Sequence, residues 1–362
     1  MLRTPLLMLT EGAFRHASSR TRALAYGPLL AAAGYDVTHV ARRPDRGPLG
    51  AVGVAVGKRV NALQRALAVR QAWPLVLVQR FGAGVADVQR LQARGAKVVF
   101  DFDDAIFIGM GLDEAAGLVR FADRVVVSTP ALLPFCEKHR RPGDAPTLVL
   151  PTPVEADRLT PAPAPPDVFT VGWIGSAWTT KYLVPLAPVL VEVARTRRIA
   201  VRLVGADAAQ LPPMPGVDVQ AVPWRFAAEA DELRRMSVGV MPLPDDPWAA
   251  GKGAYKLYQY FAAGLPVVAS PVGLNADVVR DADAGAPDSN GLLATTPDDW
   301  RAALVRLMDD PALSRRLGAA GRADALARYD RPVVGARLLD VLRDLAPPSS
   351  AEALHATGTD AP

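Results

Sequence analysis

"GKGAYKLYQYFAAGLPVVASPVGLNADVV", residues 251–279, reads as three elements in series. From Gly253 to Ala263 the residues Leu257, Tyr258, Phe261 and Ala262 fall on one inner face at helical spacing. "PVVAS" (266–270) is a short apolar run between Gly264 and Gly273, the form of a strand buried on both faces. After the Pro-Val-Gly turn, Asn275 suits the start of a second helix. Helix, buried strand and helix in so few residues is the unit of a parallel sheet covered by helices. One feature is unusual. The first helix is expected to carry Lys252, Lys256 and Gln259 at i, i+4 and i+7 on one face. Two lysines one turn apart repel by about 0.2–0.5 kcal/mol, a repulsion that a bound diphosphate would reverse. The plain alternative is a solvated basic face.

The same alternation runs along the chain. Apolar runs "PLLML" (5–9), "DVTHV" (36–40), "PLVLVQ" (74–79), "KVVFDF" (97–102), "RVVVS" (124–128) and "TLVLP" (147–151) are expected strands, with a helix between the first two ending near Gly34. "LTPAPAPPDVF" (159–169) holds five prolines and is the expected linker. The pattern then restarts with "FTVGWIG" (169–175), "AVRLVG" (200–205), "VDVQAVP" (217–223), "VGVMPL" (238–243) and "PVVAS", with helices across 179–195, 226–236 and 253–263. Helices follow to about Tyr329, the first started by Thr296 with Asp298 and Asp299. The spacing predicts an α/β protein of two domains, 1–160 and 161–330, a C-terminal helix over 331–346 returning towards the first domain, and a disordered tail over 347–362.

A chain of 362 residues, 50% hydrophobic, can bury two cores. Its one cysteine, Cys136, permits no internal disulfide and fits a cytoplasmic setting. No run of 18 apolar residues suggests a membrane span. The net charge of +4 is unevenly shared: residues 1–100 hold 15 Lys and Arg against 4 Asp and Glu, a net +11, leaving −7 for the rest. That asymmetry points to an anionic partner such as a phosphorylated substrate or the inner face of an acidic membrane, or to solvated arginines. No polybasic cluster with interleaved aromatics supports nucleic acid.

In open parallel sheets ligands bind beyond the carboxyl ends of the strands. Three stretches occupy such positions. "VGWIGSAWTTKYL" (171–183) turns at Gly175 and Ser176 into a helix bearing Lys181, either a phosphate cradle or an ordinary strand-to-helix turn. Gly205 stands where a dinucleotide fingerprint needs an acid, which argues against NAD. Gly273, Leu274 and Asn275 form the second turn. The third, "VVFDFDDAIF" (98–107), ends in Asp101, Asp103 and Asp104. Its DxD could hold a divalent cation, line an acceptor site where a carboxylate takes a hydroxyl proton, or simply cap a helix. After the first strand, "TEGAFRHASSRTR" (10–22) offers Arg15, His16, Ser18, Ser19, Arg20 and Arg22, without a legible Ser-His-Asp or metal arrangement.

Residues 238–279, with "NGLLATTPDDWRAALVRLMDDPALSRRLGAAGR" (290–322), resemble the donor-binding half of the GT-B glycosyltransferases, close to the retaining group called family 4 or "group 1". The likeness covers roughly 170–330 well and the first half in outline. It implies two Rossmann-like domains facing across a cleft, the second binding a nucleotide-sugar, without metal or other cofactor. It places Lys181 at the family's diphosphate-gripping base, with Gly175 or Ser176 where an arginine is usual. The family's two glutamates fall on Gly251 and Gln259, and Lys252 and Lys256 fit a subgroup that exchanged them for lysines. Gln259 would then meet the ribose and Trp224 the base, while Asp245, Asp246 and Trp248 are candidates for sugar hydroxyls or a simple turn. Asp103 and Asp104 would act on the acceptor side, with Lys181 and Lys256 supplying charge stabilisation. The resemblance implies transfer of a sugar, with retention, to a hydroxyl of a glycan, lipid-linked glycan or small molecule. A non-catalytic sugar-nucleotide-binding subunit is the alternative that the missing glutamates keep open, and a GT-B epimerase lacks its legible His and acid set.

Overall fold

The structure, a computed structural model, describes residues 3–45, 50–108 and 111–345. The tail expected to be disordered from 347 onwards lies outside the described residues. The described residues form two compact units, the first from 3–128, 132–150 and 335–345, the second of 129–131 and 151–334.

In unit 1 the strands are β1 (Thr4–Gly12), β2 (Tyr35–Arg43), β3 (Leu75–Gln79), β4 (Lys97–Phe102), β5 (Arg124–Val127) and β6 (Leu148–Val149). The helices are α1 (Ala17–Arg22), α2 (Gly27–Ala32), α3 (Gly50–Ala68), α4 (Val85–Gln92), α5 (Leu112–Phe121) and α6 (Leu133–His139). The sheet is parallel in the order β2-β1-β3-β4-β5-β6. Strand order reverses between β1 and β3, which opens a crevice beyond their carboxyl ends. β3 and β4 are apolar almost throughout because helices cover both faces.

Unit 2 holds β7 (Phe169–Ile174), α7 (Ala187–Ala194), β8 (Ile199–Val204), β9 (Asp218–Val222), α8 (Glu229–Arg234), β10 (Val238–Met241), α9 (Pro247–Ala250), α10 (Tyr255–Ala262), β11 (Val267–Ala269), α11 (Leu274–Val278), β12 (Leu292–Leu293), α12 (Pro297–Asp309) and α13 (Pro311–Asp324). A ten-residue 3-10 helix, Ala177–Leu186, joins β7 to α7. The sheet order β12-β11-β10-β7-β8-β9 is a doubly wound arrangement whose switch lies between β7 and β10. One core packs α10 and the segment around Leu159 onto one face; the other packs α7 and α12 onto the opposite face. The proline-rich stretch is part of this unit, with Leu159 fully buried and Pro161 against Gly264. The last helix, α14 (Arg331–Leu345), starts in unit 2 and passes into unit 1 at Gly335.

Local signals account for the elements that shape the sites. Thr296 and Asp299 form the expected capping box at the start of α12. α10 begins at Tyr255, two residues later than its periodicity suggests, because Ala254 is left-handed (φ 54°) and cannot continue a helix backwards. Lys252 therefore precedes α10 and does not share its face.

Candidate functional site

At the switch of unit 2 three lysines gather over aromatic rings. Lys181 Nζ lies 4.2 Å from the Trp178 ring centre and 5.4 Å from that of Tyr182. Lys252 Nζ stands 5.8 Å from the same Tyr182 ring. Lys256 Nζ sits 5.1 Å over Trp173, whose ring occupies the space where a side chain on Gly175 would begin. Gly175 is thus required for the ring to pass beneath its backbone. Exposed Trp178 also meets Trp248 edge-on at 5.8 Å. Each cation–ring contact is worth about 0.5–1 kcal/mol at an exposed ring such as Trp178 and up to about 2 kcal/mol over buried rings such as Trp173 and Tyr182.

The glycine turn itself differs from the expected cradle. Gly175 N–H donates to Val204 O at 2.9 Å, and Ser176 N–H to Thr179 Oγ1 at 3.1 Å. Both donors are committed inside the fold, so any anion here depends on Lys181 and its neighbours rather than on those two N–H groups. The second turn, at Gly273, is a close approach: its φ is +53°, and a Cβ there would stand 2.4 Å from Ala250 O. Gly273, not Asn275, caps α11. Asn275 is buried and donates from Nδ2 to Ser270 O at 3.1 Å, stapling the turn from inside, while Leu274 is half-buried. Asp246 caps α9 by accepting from Ala249 N at 2.7 Å, the turn alternative for that residue. Asp246 and Lys181 also border a cavity of about 420 Å³ with Tyr182, Ser270 and Trp300.

Gln259 leads to a group that the sequence did not disclose. It is buried and donates from Nε2 to Glu229 Oε1 at 2.5 Å. Trp224 Nε1 donates to Glu229 Oε2 at 3.1 Å, and Arg158 Nη2 stands 3.5 Å from Oε1. Glu229 is 1% exposed. Burial works against the Arg158 cation, but Glu229 and Glu155 outweigh it and raise its pKa. Two residues expected separately at ribose and base, Gln259 and Trp224, are therefore joined through one buried carboxylate. Its signal in the sequence was weak, since Glu229 shares α8 with Asp231 and Glu232.

In unit 1 the carboxyl ends of β1, β3 and β4 hold a second polar cluster. Arg80 faces Asp103 (Nε to Oδ1, 3.2 Å), Asp104 (3.3 Å) and Glu11 (3.8 Å). Arg80 and Asp104 are both left-handed (φ 49° and 58°), a conformation that costs energy outside glycine and recurs at functional sites. Ser18 Oγ donates to Asp103 and accepts from Gln79 Nε2 at 2.6 Å; Ser19 Oγ donates to Gln79 Oε1 at 2.9 Å and lies 2.9 Å from His16 Nδ1. Burial pushes the Asp103 carboxyl up, but Arg80, Arg22 and Ser18 together hold it below its ordinary value. It suits holding hydroxyl groups better than removing a proton at neutral pH. Burial holds His16 below its ordinary value against the pull of Glu11.

Asp101 turns away from this cluster and meets buried Arg22 in a two-point contact, Nε–Oδ1 2.8 Å and Nη2–Oδ2 2.6 Å. Burial disfavours both charges, yet two N–H groups on two oxygens require the carboxylate, and Asp101 keeps Arg22 protonated. The Asp101-Phe102-Asp103 motif thus sends its two carboxylates to different arginines. Among the described residues no group of His, Cys, Asp or Glu is arranged to hold a metal ion. Arg20 stands 5.8 Å over Phe14, and Arg15 N–H donates to Asp45 at 2.9 Å.

Residues 166–310 match the family model described as glycosyl transferases group 1. A sucrose-phosphate synthase from Thermosynechococcus elongatus superposes with a TM-score of 0.71 at 18% identity, over 95% of this chain and 99% of that one. Anabaena HepE in complex with UDP and glucose gives 0.67 at 14%, over 94% and 100%. A glycosyltransferase from Rickettsia africae gives 0.66 at 11%, over 96% and 100%. No curated protein matches the chain by sequence. The fold is that of the GT-B glycosyltransferases, and within the second unit residues 166–310 match the group 1 glycosyltransferase model.

Proposed function

We propose that this protein transfers a sugar from a nucleoside-diphosphate sugar to a hydroxyl of a glycan, lipid-linked glycan or small molecule, with retention at the transferred carbon. The observation that carries the reading is the gathering of Lys181, Lys252 and Lys256 on the rings of Trp173, Trp178 and Tyr182 at the switch of the unit that matches the group 1 model. A diphosphate leaving group develops negative charge as its bond to the sugar breaks. Preorganised ammonium groups stabilise that charge without reorganising, and removal of one such group typically costs about 10²–10³ in rate. Lys181 and Lys256 serve this purpose, with Lys252 binding the diphosphate in the ground state. Gln259 and Trp224, fixed through Glu229, form the nucleoside end. In unit 1, Asp103 and Asp104 hold the acceptor's hydroxyl groups beside Arg80.

The test begins with UDP-glucose, since HepE is seen with UDP and glucose, and extends to GDP-, dTDP- and ADP-sugars. Thermal stabilisation reports binding, and release of free nucleotide by slow donor hydrolysis reports bond cleavage. Lys181→Ala and Lys256→Ala should each lower release about 10²-fold or more with little change in unfolding temperature. Turnover at the parental level in both variants would overturn the assignment. Stabilisation by a donor with no release, with or without acceptors, would favour the non-catalytic binding subunit.

A further inference from the structure

One surface of unit 1 plays no part in the sites above. α3 packs through its Gly57 and Ala68 side, where a side chain on Gly57 would strike Pro44 and Ala68 is buried. On the opposite side, Val56, Val60, Leu63 and Leu67 recur at i, i+4, i+7 and i+11 and are 56%, 47%, 61% and 51% exposed. Four large apolar side chains in one line on a helix form an outward stripe, whereas scattered exposed residues would need no explanation. Ala55, Ala62 and Ala66 widen it, and Arg59 is the one charged residue among them.

The charged residues of α3 itself are of one sign. Gly50–Ala68 contains Lys58, Arg59 and Arg65 and no Asp or Glu, and Arg70 follows it. Lys58, Arg59 and Arg70 are exposed, while Arg65 leans towards Asp87 at 3.6 Å. Among the described residues no helix is long and apolar enough to cross a membrane. An apolar line of about one helix's length, on a helix that carries cations and no acid of its own, is the form of a helix that lies in the plane of a membrane.

We infer that α3 is a membrane-docking helix: the Val56, Val60, Leu63 and Leu67 side chains enter the boundary of an anionic bilayer while Arg59 and Arg70 meet its headgroups. A protein partner with an acidic groove would match the charge but would not need a flat, unbroken apolar line, so the lipid surface is the occupant chosen. The surface belongs to unit 1 and the lysine site to unit 2, and the inference does not depend on the proposed reaction.

Co-sedimentation of the full chain with vesicles tests this. Vesicles of equimolar phosphatidylcholine and phosphatidylglycerol should bind it, vesicles of phosphatidylcholine alone should bind it at least about tenfold less, and added salt should weaken the binding. Val60→Ser with Leu63→Ser should remove binding even to the anionic vesicles. Arg59→Gln with Arg70→Gln should weaken it by roughly 25-fold, about fivefold for each cation near the surface. All four positions are exposed, and unchanged circular dichroism and unfolding temperature confirm the fold. No binding to either vesicle, or equal binding by the parent and the Val60→Ser, Leu63→Ser variant, overturns the inference. So does a concentration-dependent dimer that the same variant abolishes, which would make a second copy the occupant.

Discussion

Exchange of the groups at positions 229 and 259 isolates the carboxylate that ties Trp224 to Gln259. In the parent, two N–H donors point at the two oxygens of Glu229, from Trp224 at 3.1 Å and Gln259 at 2.5 Å. Glu229→Gln leaves one oxygen and one NH2 group, so with Gln259 as it stands one buried donor faces another, and turning Gln259 over to accept instead moves its own buried NH2 group away from its acceptor. An unmet buried donor costs about 1–3 kcal/mol, and the weakened attraction to Arg158 brings the expected loss to about 2–4 kcal/mol. Gln259→Glu places two carboxylates within hydrogen-bond distance and should cost a similar amount near neutral pH. One of that pair has a raised folded-state pKa, so its stability is retained below the ordinary carboxyl range and lost as pH rises through the raised value. The double variant Glu229→Gln, Gln259→Glu restores every donor–acceptor pair, because the new amide accepts from Trp224 and donates to the new carboxylate. It should lie within about 1 kcal/mol of the parent, a coupling of at least about 2 kcal/mol between neighbours. Calorimetric unfolding reads this directly, since about 2–4 kcal/mol in a unit of this size moves its transition by roughly 5–10 °C. A double variant whose loss equals the sum of the singles would refute the bridge.

Gly273→Ala puts a methyl group 2.4 Å from Ala250 O at a left-handed backbone position; a loss of about 1–3 kcal/mol and weaker UDP-sugar binding are expected, read by calorimetry and titration. Arg22→Met abandons a buried carboxylate at Asp101 and should destabilise unit 1 by about 3–5 kcal/mol, with partial recovery when Asp101→Leu is added. Unit 1 should also lose stability as pH falls from about 7.5 to about 5. His16 and His39 have folded pKa values lowered chiefly by burial, so their contribution is complete above the ordinary histidine value and lost below it. His39→Gln should flatten the calorimetric pH profile; an unchanged slope in that variant would assign the loss elsewhere.

The strands were readable because a parallel strand covered on both faces leaves a continuous apolar run, as in β3, β4 and β7, and because glycines such as Gly175 mark where each run turns. α3 was not read, since Ala, Val and Gly populate both of its faces and the outward stripe erases the usual contrast. β12 has only two residues, too few for any period. The start of α10 was misplaced because nothing in "GKGAYK" announces that Ala254 is left-handed. At the site, Lys181, Lys252 and Lys256 were legible as basic residues near strand ends, whereas the rings that gather them come from separated stretches. Glu229 and Arg80 matter through burial and through partners distant in sequence, which no local pattern records. The free glycine cradle failed for a similar reason: the Gly175 N–H was already taken by the neighbouring strand.

The make-up of unit 1 from chain segments on either side of unit 2 sets an order of events during synthesis. Leu338, Leu339 and Leu342 of α14 are buried, Gly335 lies against Leu29, and Arg337 donates to Val149 O at 2.8 Å. The unit begun before unit 2 is therefore finished by residues made after it. At roughly 5–20 residues per second, the interval from Pro151 to Leu345 is about 10–40 s. Throughout it the nascent first unit lacks the apolar face of α14, while unit 2 completes nearly all of its own chain and can close. A chaperone that shields apolar surface during that interval would act on the amino-terminal half, although the carboxyl-terminal half is the later to emerge.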